Sequence, residues 1–231
     1  EALVAALHAY ADKHGAPTEV HQSADRLLDA KVHVVVTGQQ PGLMGGPLFT
    51  LHKAATAIRL CQEINASGSG VEAVPVFWNH SDDHDLDEAN RLFVVNQAQD
   101  VQRFRVDVDR TNEPLRNIAI GRELDKLLAE LDPLLPATEF REWALAMLKP
   151  RSANDTFGAQ QARVLFELFG KHGLLVIEPR DLPPAAFEPL ARWWEKSNAI
   201  RDKVKQTCDD LGDVGIDVTL ACDTPGVPGE E

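Results

Sequence analysis

The sequence predicts an α/β fold in which helices flank a parallel β-sheet. Val34, Val35 and Val36 form a β-branched run without polar alternation, which predicts a strand buried on both faces. A glycine-rich loop and an amphipathic helix follow, and a second apolar strand begins near Val74. A crossover of about forty residues with one helix is typical of a right-handed βαβ unit.

The loop after the first strand is predicted to bind an anion. Four of its nine residues from 38 to 46 are glycines, which let backbone N–H groups approach a ligand closely. The helix begins after Pro47, and the positive end of its dipole meets the loop there. The candidate binding residues are Thr37, Gly38, Gln39, Gln40, Gly42, Gly46, Thr50 and Lys53.

Two standard phosphate-binding patterns are absent from this loop. Neither GxxxxGK[ST] nor GxGxxG occurs, which disfavours a P-loop NTPase and an ordinary dinucleotide enzyme. Thr50 and Lys53 are three residues apart, so they are predicted to share one helix face, from which Lys53 could reach a phosphate or carboxylate. A tight structural turn with a solvated Lys53 is the alternative that spacing leaves open.

An acidic loop follows the second strand directly. Within seven residues it holds five carboxylates and one histidine, namely Asp82, Asp83, His84, Asp85, Asp87 and Glu88. Ligands of parallel sheets bind outside the carboxyl ends of the strands, so both loops are predicted to open on one edge. The carboxylates could hold Mg²⁺, orient a substrate ammonium, or orient His84 as a general base, and a solvated acidic turn is the alternative. The EF-hand and HExxH patterns are absent, so neither of these two metal-binding motifs is predicted.

The remaining elements are predicted to form scaffold. The predicted organisation begins with a helical segment at 1–30 and continues with a core at 31–180, which includes a helical insertion at about 110–150. Residues 181–231 are predicted to form the start of an incomplete helical arm, with a possible further strand. The other predicted strands span 92–95, 104–108 and 174–179, and the other predicted helices span 122–131, 138–148, 156–172 and 185–210. Asn154 or Asp155 is expected to cap the 156–172 helix. No chemistry is assigned to His8, His14 or His21.

Composition excludes several classes of protein. The formal charge of −13 over 231 residues argues against sequence-independent nucleic-acid binding. No apolar run reaches the roughly 20 residues that cross a bilayer, so no membrane partner is predicted. Cys61, Cys208 and Cys222 are odd in number and far apart, which favours buried or free thiols in a reducing cytoplasm. Because the first residue is Glu1, we expect the true N-terminus to be missing.

Three segments resemble one known family. TGQQPGLMGGPLFTLHK at 37–53 and VPVFWNHSDDHDLDE at 74–88 resemble the two hallmark segments of the bacillithiol biosynthesis cysteine-adding enzymes. NDTFGAQQARVLFELFGKHGLLVIEP at 154–179 is similar to the later helix and strand of that family. Asp82 stands where Glu is usual, and the NHS and LMGGP sequences also depart from the family pattern. These departures bear on the identity of the substrate.

The resemblance implies both a fold and a reaction. It implies a Rossmann-like core related to the nucleotidyltransferase superfamily of class I aminoacyl-tRNA synthetases, connecting insertions, and a coiled-coil arm for homodimerisation that begins near residue 185. The reaction joins L-cysteine through an amide bond to the malyl carboxylate of glucosaminyl-malate. ATP is the expected cosubstrate, and Mg²⁺ is a candidate companion ion. Family members are expected to be about twice as long as this chain.

The resemblance also suggests roles for named residues. Asp83, His84 and Asp85 are the candidate catalytic residues, and Trp78 joins the candidate binding residues of the glycine loop. Two other functions stay open at this point. The acidic loop could serve a metal-dependent hydrolase, or the glycine loop could serve a non-catalytic nucleotide-binding module that assembles with a partner.

Overall fold

A computed structural model describes residues 1–96, 98–108 and 113–216. The chain divides into two compact units, Glu1–Leu182 and Pro183–Glu231. The larger unit contains a parallel sheet flanked by helices, which confirms the predicted α/β fold. The further strand predicted after Val214 falls mostly outside the described residues, as does Cys222.

The larger unit alternates helices and strands along most of its length. Its elements are α1 (Ala2–His14), α2 (Thr18–Arg26), β1 (Val32–Gln39), α3 (Leu48–Ala66), β2 (Glu72–Asn79), α4 (Leu86–Ala89), β3 (Arg91–Val95), β4 (Val101–Arg105), α5 (Gly121–Leu131), α6 (Arg141–Leu148), α7 (Phe157–Phe169) and β5 (Leu175–Ile177). Short 3-10 helices span Leu43–Gly45, Leu115–Asn117, Asp132–Leu134, Gly170–His172 and Pro179–Asp181.

The main sheet has three parallel strands in the order β1-β2-β5. Val36 pairs with Val76, and Trp78 pairs with both Gly38 and Ile177. Helix α3 connects β1 to β2 and packs against both strands. Because β1 and β2 run in the same direction, the glycine loop and the acidic loop both leave the sheet at its carboxyl edge, as predicted. Strands β3 and β4 form a separate antiparallel pair.

Strand β1 lies at the edge of the sheet and exposes part of one face. Val34 and Val36 are 47% and 59% exposed, whereas Val74, the partner of Val34, is fully buried. The prediction that β1 is buried on both faces is therefore wrong. Helices α1 and α2 contact β5 at the opposite edge of the sheet, while α3 packs against β1 without covering Val34 and Val36. A β-branched run favours a strand but does not determine what packs on it.

Two hydrophobic cores hold the larger unit together. The main core lies between the sheet and helices α1, α2, α3 and α7. A second core joins the glycine loop, α4 and α5, and it includes Leu43, Ala89, Leu115, Ile120 and Leu124. Leu43 belongs to the glycine loop and Ala89 to the helix that follows the acidic loop. The two loops are thus anchored in one core.

The described residues of the smaller unit, up to 216, form two α-helices instead of the single helix predicted over 185–210. After a 3-10 turn at Pro184–Phe187, α8 spans Glu188–Glu195 and α9 spans Ser197–Asp213. The backbone leaves helical geometry at Lys196, with φ −101° and ψ 11°, and its N–H donates to the Trp193 carbonyl at 3.0 Å. This tightened turn separates the two helices.

Two local predictions also need correction. Thr156, rather than Asn154 or Asp155, caps α7, because its Oγ1 accepts a hydrogen bond from the Ala159 N–H at 3.2 Å. The strand predicted at 104–108 lies earlier, at Val101–Arg105.

Two other features follow from burial and from helix composition. Cys61 is buried as predicted, and burial raises the pKa of its thiol. Within the described part of the chain, no helix combines the length and apolarity that a membrane crossing requires.

Candidate functional site

A cleft of about 510 Å³ opens at the carboxyl ends of β1 and β2. It is lined by Val36, Thr37, Gly38, Gln39, Gln40, Trp78 and His80. Five of these lining residues were predicted to bind a ligand, namely Thr37, Gly38, Gln39, Gln40 and Trp78. His80 had no predicted binding role. The remaining candidates, Gly42, Gly46, Thr50, Lys53, Asp83, His84 and Asp85, lie outside this lining.

Gln40 lines this cleft and carries an unsatisfied side-chain amide. Its Nε2 is buried and has no hydrogen-bond partner among the described residues. An unsatisfied buried donor costs about 1–3 kcal/mol, so such a group in a folded protein calls for an explanation. A carboxylate or phosphate oxygen in the cleft would accept its hydrogen bond. Nearby, Lys53 Nζ donates to the Gly38 carbonyl at 3.3 Å and to Gln39 Oε1 at 2.8 Å, which places a positive charge at the end of β1.

Gly38 allows the two strands to meet at the mouth of the cleft. A Cβ at this position would lie 2.6 Å from the Trp78 carbonyl oxygen and 2.9 Å from Trp78 Cβ. Any side chain would therefore push β1 away from β2. Further along the loop, Gly46 has φ 76°, a conformation that favours glycine.

The glycine loop is held from inside by helix α7. The Gly42 N–H donates to Gln161 Oε1 at 3.3 Å, and the Met44 N–H donates to Gln160 Oε1 at 3.0 Å. Both glutamines are fully buried. These two N–H groups therefore stabilise the loop. Because they already have acceptors, they are not free to donate to an anion in the predicted site.

The side chains of Thr50 and Lys53 lie in different environments. Thr50 is fully buried, and its Oγ1 has no partner among the described residues, whereas Lys53 is exposed. Thr50 Oγ1 lies 3.3 Å from where a Cβ of Gly46 would be, so the threonine packs under the glycine loop. The shared helix face predicted for Thr50 and Lys53 is therefore not a shared ligand-facing surface.

Two aspartates of the acidic loop shape its backbone. Asp85 caps α4, because its Oδ1 accepts a hydrogen bond from the Glu88 N–H at 3.0 Å. Asp83 Oδ1 accepts from the Asp85 N–H at 2.9 Å. His84 lies between them and is exposed. The loop thus presents the imidazole of His84 to solvent.

Arginines pair with two other carboxylates of this loop. Asp82 pairs with Arg116, and Asp87 lies 3.3 Å from Arg91 and 3.6 Å from Arg105. In the described ranges, no group of three or more His, Cys, Asp and Glu side chains is arranged to hold a metal ion. Two of the five carboxylates of the acidic loop are therefore engaged in ion pairs.

His80 connects the cleft to the acidic loop. Its N–H donates to the Gln39 carbonyl at 3.1 Å, which extends the pairing of β1 and β2 by one residue. Further along, the Leu115 N–H donates to the Asp83 carbonyl at 2.8 Å. These backbone hydrogen bonds fix the acidic loop beside the cleft.

A buried polar network beneath the site escaped the sequence analysis. Glu178 is fully buried and accepts hydrogen bonds from the Tyr10 hydroxyl at 2.9 Å and from Ser81 Oγ at 2.5 Å. Gln161 Nε2 donates to Asn79 Oδ1 at 3.2 Å. Burial, followed by the charge of Glu178, raises the pKa of Tyr10 well above its usual value, so Tyr10 remains a proton donor. The sequence feature that could have indicated this network is the presence of polar residues at the ends of apolar strands.

Comparison with known proteins identifies the family. The family model described as "Bacillithiol biosynthesis BshC, N-terminal Rossmann-like domain" matches residues 1–225. The chain belongs to this family. Membership confirms the resemblance seen in the two hallmark segments and the predicted Rossmann-like fold. In this bacillithiol biosynthesis family member, both hallmark segments meet at one edge of the sheet.

Relatives of this chain carry the name "Putative cysteine ligase BshC". The relative from Natranaerobius thermophilus is 32% identical over 178 residues, covering 77% of this chain and 32% of the relative. That from Koribacter versatilis is 31% identical over 180 residues, covering 78% and 33%. That from Oceanobacillus iheyensis is 27% identical over 219 residues, covering 90% and 40%. The matched segments thus cover only about a third to two fifths of the length of these relatives.

Proposed function

We propose that this chain is the substrate-binding core of a cytoplasmic cysteine ligase. The ligase would join L-cysteine through an amide bond to the malyl carboxylate of glucosaminyl-malate. The observation that carries this proposal is the cleft at the ends of β1 and β2, together with Gln40, a lining residue whose buried Nε2 has no hydrogen-bond partner among the described residues. Family membership and the names of the relatives support it.

The cleft would bind the carboxylate substrate. Gln40 Nε2 would donate to a carboxylate oxygen, and His80 would offer a second polar contact from the end of β2. Lys53, held at the end of β1, would favour the negative charge through its field. Trp78 would supply an apolar wall for the carbon skeleton. Lys53 is held by its hydrogen bonds to Gly38 and Gln39 before the substrate arrives, so this charge needs little reorganisation.

Amide formation requires an activated carboxylate and an unprotonated amine. ATP, when bound, would supply the activation, with Mg²⁺ accompanying its phosphates. The cysteine nitrogen then forms a bond to the carboxyl carbon as the bond from that carbon to the activated oxygen breaks. His84 would accept a proton from the attacking amine. Asp83 and Asp85 would position His84 by holding the backbone N–H groups of Asp85 and Glu88, which follow it.

Mass spectrometry of the intact protein tests this proposal. Incubation with cysteine, glucosaminyl-malate and ATP is expected to give a product whose mass equals the two joined substrates minus water. Omission of ATP should abolish it. Gln40→Ala should raise the KM for glucosaminyl-malate, whereas Gln62→Ala, an exposed glutamine on α3, should not. A protein that binds ATP but never consumes cysteine would instead be a non-catalytic nucleotide-binding module.

The hydrolase alternative receives little support from the geometry. It needs the carboxylates of the acidic loop as metal ligands, but Asp82 and Asp87 already pair with arginines and Asp85 caps α4. Using them would cost these interactions. Dependence of a hydrolytic activity on added divalent metal would restore this alternative.

We also propose that the intact protein forms a homodimer through the arm that begins with α8 and α9. Apolar side chains exposed on these helices include Leu190, Trp193, Trp194, Ile200 and Val204. Exposed apolar surface of this kind favours association. Sedimentation of the intact protein should show a dimer, and Trp193→Glu combined with Ile200→Glu should shift it toward monomer. An unchanged dimer would place the interface elsewhere.

A further inference from the structure

A second cavity lies between α1, α6 and α7 in the larger unit. Its volume is about 770 Å³, which is within the range for small-molecule sites. It is lined by His14, Gly15, Pro17, Trp143, Ala146, Met147, Lys149, Pro150, Arg151, Arg163, Phe166, Glu167 and Lys171. None of these residues lines the cleft at the ends of β1 and β2. We refer to it as the α6–α7 cavity.

The α6–α7 cavity is positively charged although the whole chain carries a formal charge of −13. Four lining side chains are cationic, namely Lys149, Arg151, Arg163 and Lys171. Glu167 is the one lining carboxylate, and its Oε1 accepts a hydrogen bond from Trp143 Nε1 at 2.8 Å. Behind the wall, Asp155 pairs with Arg163 at 2.6 Å and offsets one of the four charges. An excess of positive charge therefore remains.

Two buried atoms in the wall have no partner among the described residues. His14 is 4% exposed, and its Nε2 makes no hydrogen bond. Arg163 is 8% exposed, and its Nε is also unsatisfied although its Nη2 binds Asp155. Two unsatisfied buried nitrogens in the wall of one cavity are a costly arrangement, unless a ligand supplies the missing partners.

Burial and the surrounding cations determine the protonation state of His14. Burial is the main cause, followed by Lys13 and Arg163, and together they lower the pKa of His14 to about 3. The ring is therefore neutral at physiological pH and can donate one hydrogen bond to a ligand oxygen. The same field that disfavours a positive His14 favours a negative ligand.

The rest of the lining is apolar and aromatic. Phe166 is buried, and Met147, Pro17 and Trp143 complete this part of the wall. An inorganic ion alone would leave this surface without a contact. A ligand with a compact anionic head and an apolar body would use both parts of the cavity.

We propose that the α6–α7 cavity binds a small organic anion that carries a phosphate or carboxylate head on an apolar body. The head lies against His14, Arg163 and the lysines, and the body lies against Trp143 and Phe166. This site is separate from the cleft of the proposed ligase, so the proposal does not depend on that function.

Binding of two simple probes to the intact protein tests this site. Phenyl phosphate and phenylacetate share the apolar body and differ in the head, so their relative affinities identify the head that the cavity prefers. Trp143 lies in the wall and should report binding by a change in fluorescence, which Trp143→Phe should remove. Failure of both probes to bind, or a signal that persists in Trp143→Phe, would overturn the proposal.

Paired lysine variants provide a matched charge control. Lys149→Gln with Lys171→Gln removes two cavity charges, and both residues are exposed, so the fold should be kept. Lys31→Gln with Lys126→Gln removes two exposed charges elsewhere. We expect the Lys149 and Lys171 variant to weaken probe binding at least about tenfold, and the Lys31 and Lys126 variant to change it less than about twofold. The reason is that the attraction between a lysine and the anionic probe acts at close range. Equal effects from both pairs would contradict a site in this cavity.

Discussion

The glycine loop at 38–46 and the acidic loop at 80–88 leave neighbouring strands at the same edge, but different interactions hold them. Buried glutamines of α7 bind backbone N–H groups of the glycine loop, and Gly38 packs directly against Trp78. The acidic loop is shaped by its own aspartates and by arginine pairs at the surface. The shape of the first loop is therefore set by the protein interior, whereas that of the second is set largely by exposed side chains.

This difference separates structural residues from chemical ones. In the glycine loop most substitutions should affect folding and binding together, because the backbone itself forms the cleft wall. In the acidic loop the carboxylates maintain the conformation, and the described structure shows no partner for the His84 ring. Stability measurements therefore test the glycine loop, and activity measurements test His84 in the acidic loop.

The largest effect is expected from His84→Ala. Loss of a general base lowers rates by about 10²–10⁴-fold, while the exposed position of His84 predicts an unchanged fold. The measurement is the rate of cysteine addition by the intact protein, with circular dichroism as a check on folding. His33→Ala is the matched control, because His33 is exposed near the opposite end of β1. Wild-type turnover by His84→Ala would remove this residue from the mechanism.

Gly38→Ala should destabilise the protein more than any single change in the acidic loop. The added Cβ would meet the Trp78 carbonyl oxygen at 2.6 Å, and backbone atoms cannot move aside as a flexible side chain can. Overpacking of this kind costs about 1–3 kcal/mol, and chemical denaturation measures it.

A control for that substitution lies in α9. A Cβ added to Gly212 meets no atom within 4 Å, and alanine favours helix, so Gly212→Ala should be neutral or stabilising by up to about 1 kcal/mol. Equal stability of Gly38→Ala and wild type would show that the end of β1 can move away from β2.

Substitution of Asp85 tests whether the acidic loop depends on its cap. Asp85→Ala should cost about 1 kcal/mol, and Asp85→Asn should cost less because asparagine also caps helices. If Asp85 acts only by positioning His84, Asp85→Asn should retain most of the ligase activity and its pH profile. A collapse of activity in Asp85→Asn at normal stability would instead assign the carboxylate a direct chemical role.

The sequence was sufficient to predict that the two loops open on the same edge of the sheet, because the direction of a strand decides the edge at which its following loop begins. The function of their side chains could not be predicted in this way. Asp85 was predicted to be a catalytic carboxylate, but it caps the four-residue α4. Arg116, which pairs with Asp82, and Arg105, which pairs with Asp87, come from distant segments. Pairing between remote charges leaves no pattern in a single sequence.

Exposure was equally hard to predict. Val34 and Val36 have the composition of a buried strand, yet both are exposed, and α1 and α2 contact β5 at the opposite edge of the sheet. His14 shows the reverse case. It had no assigned chemistry, because a histidine at the end of an amphipathic helix gives no signal until α6 and α7 enclose it.

The smallest effect is expected from Thr50→Val, which tests how far ligand contacts extend under the glycine loop. Its hydroxyl is fully buried and unsatisfied among the described residues, so an isosteric apolar side chain should leave stability unchanged or raise it by about 1 kcal/mol. Because Thr50 packs beneath Gly46 rather than in the cleft, cysteine addition should continue at nearly the wild-type rate. Loss of activity in a stable Thr50→Val protein would show that a ligand reaches this hydroxyl. The binding site would then extend beneath the loop, as the helix spacing of Thr50 and Lys53 first suggested.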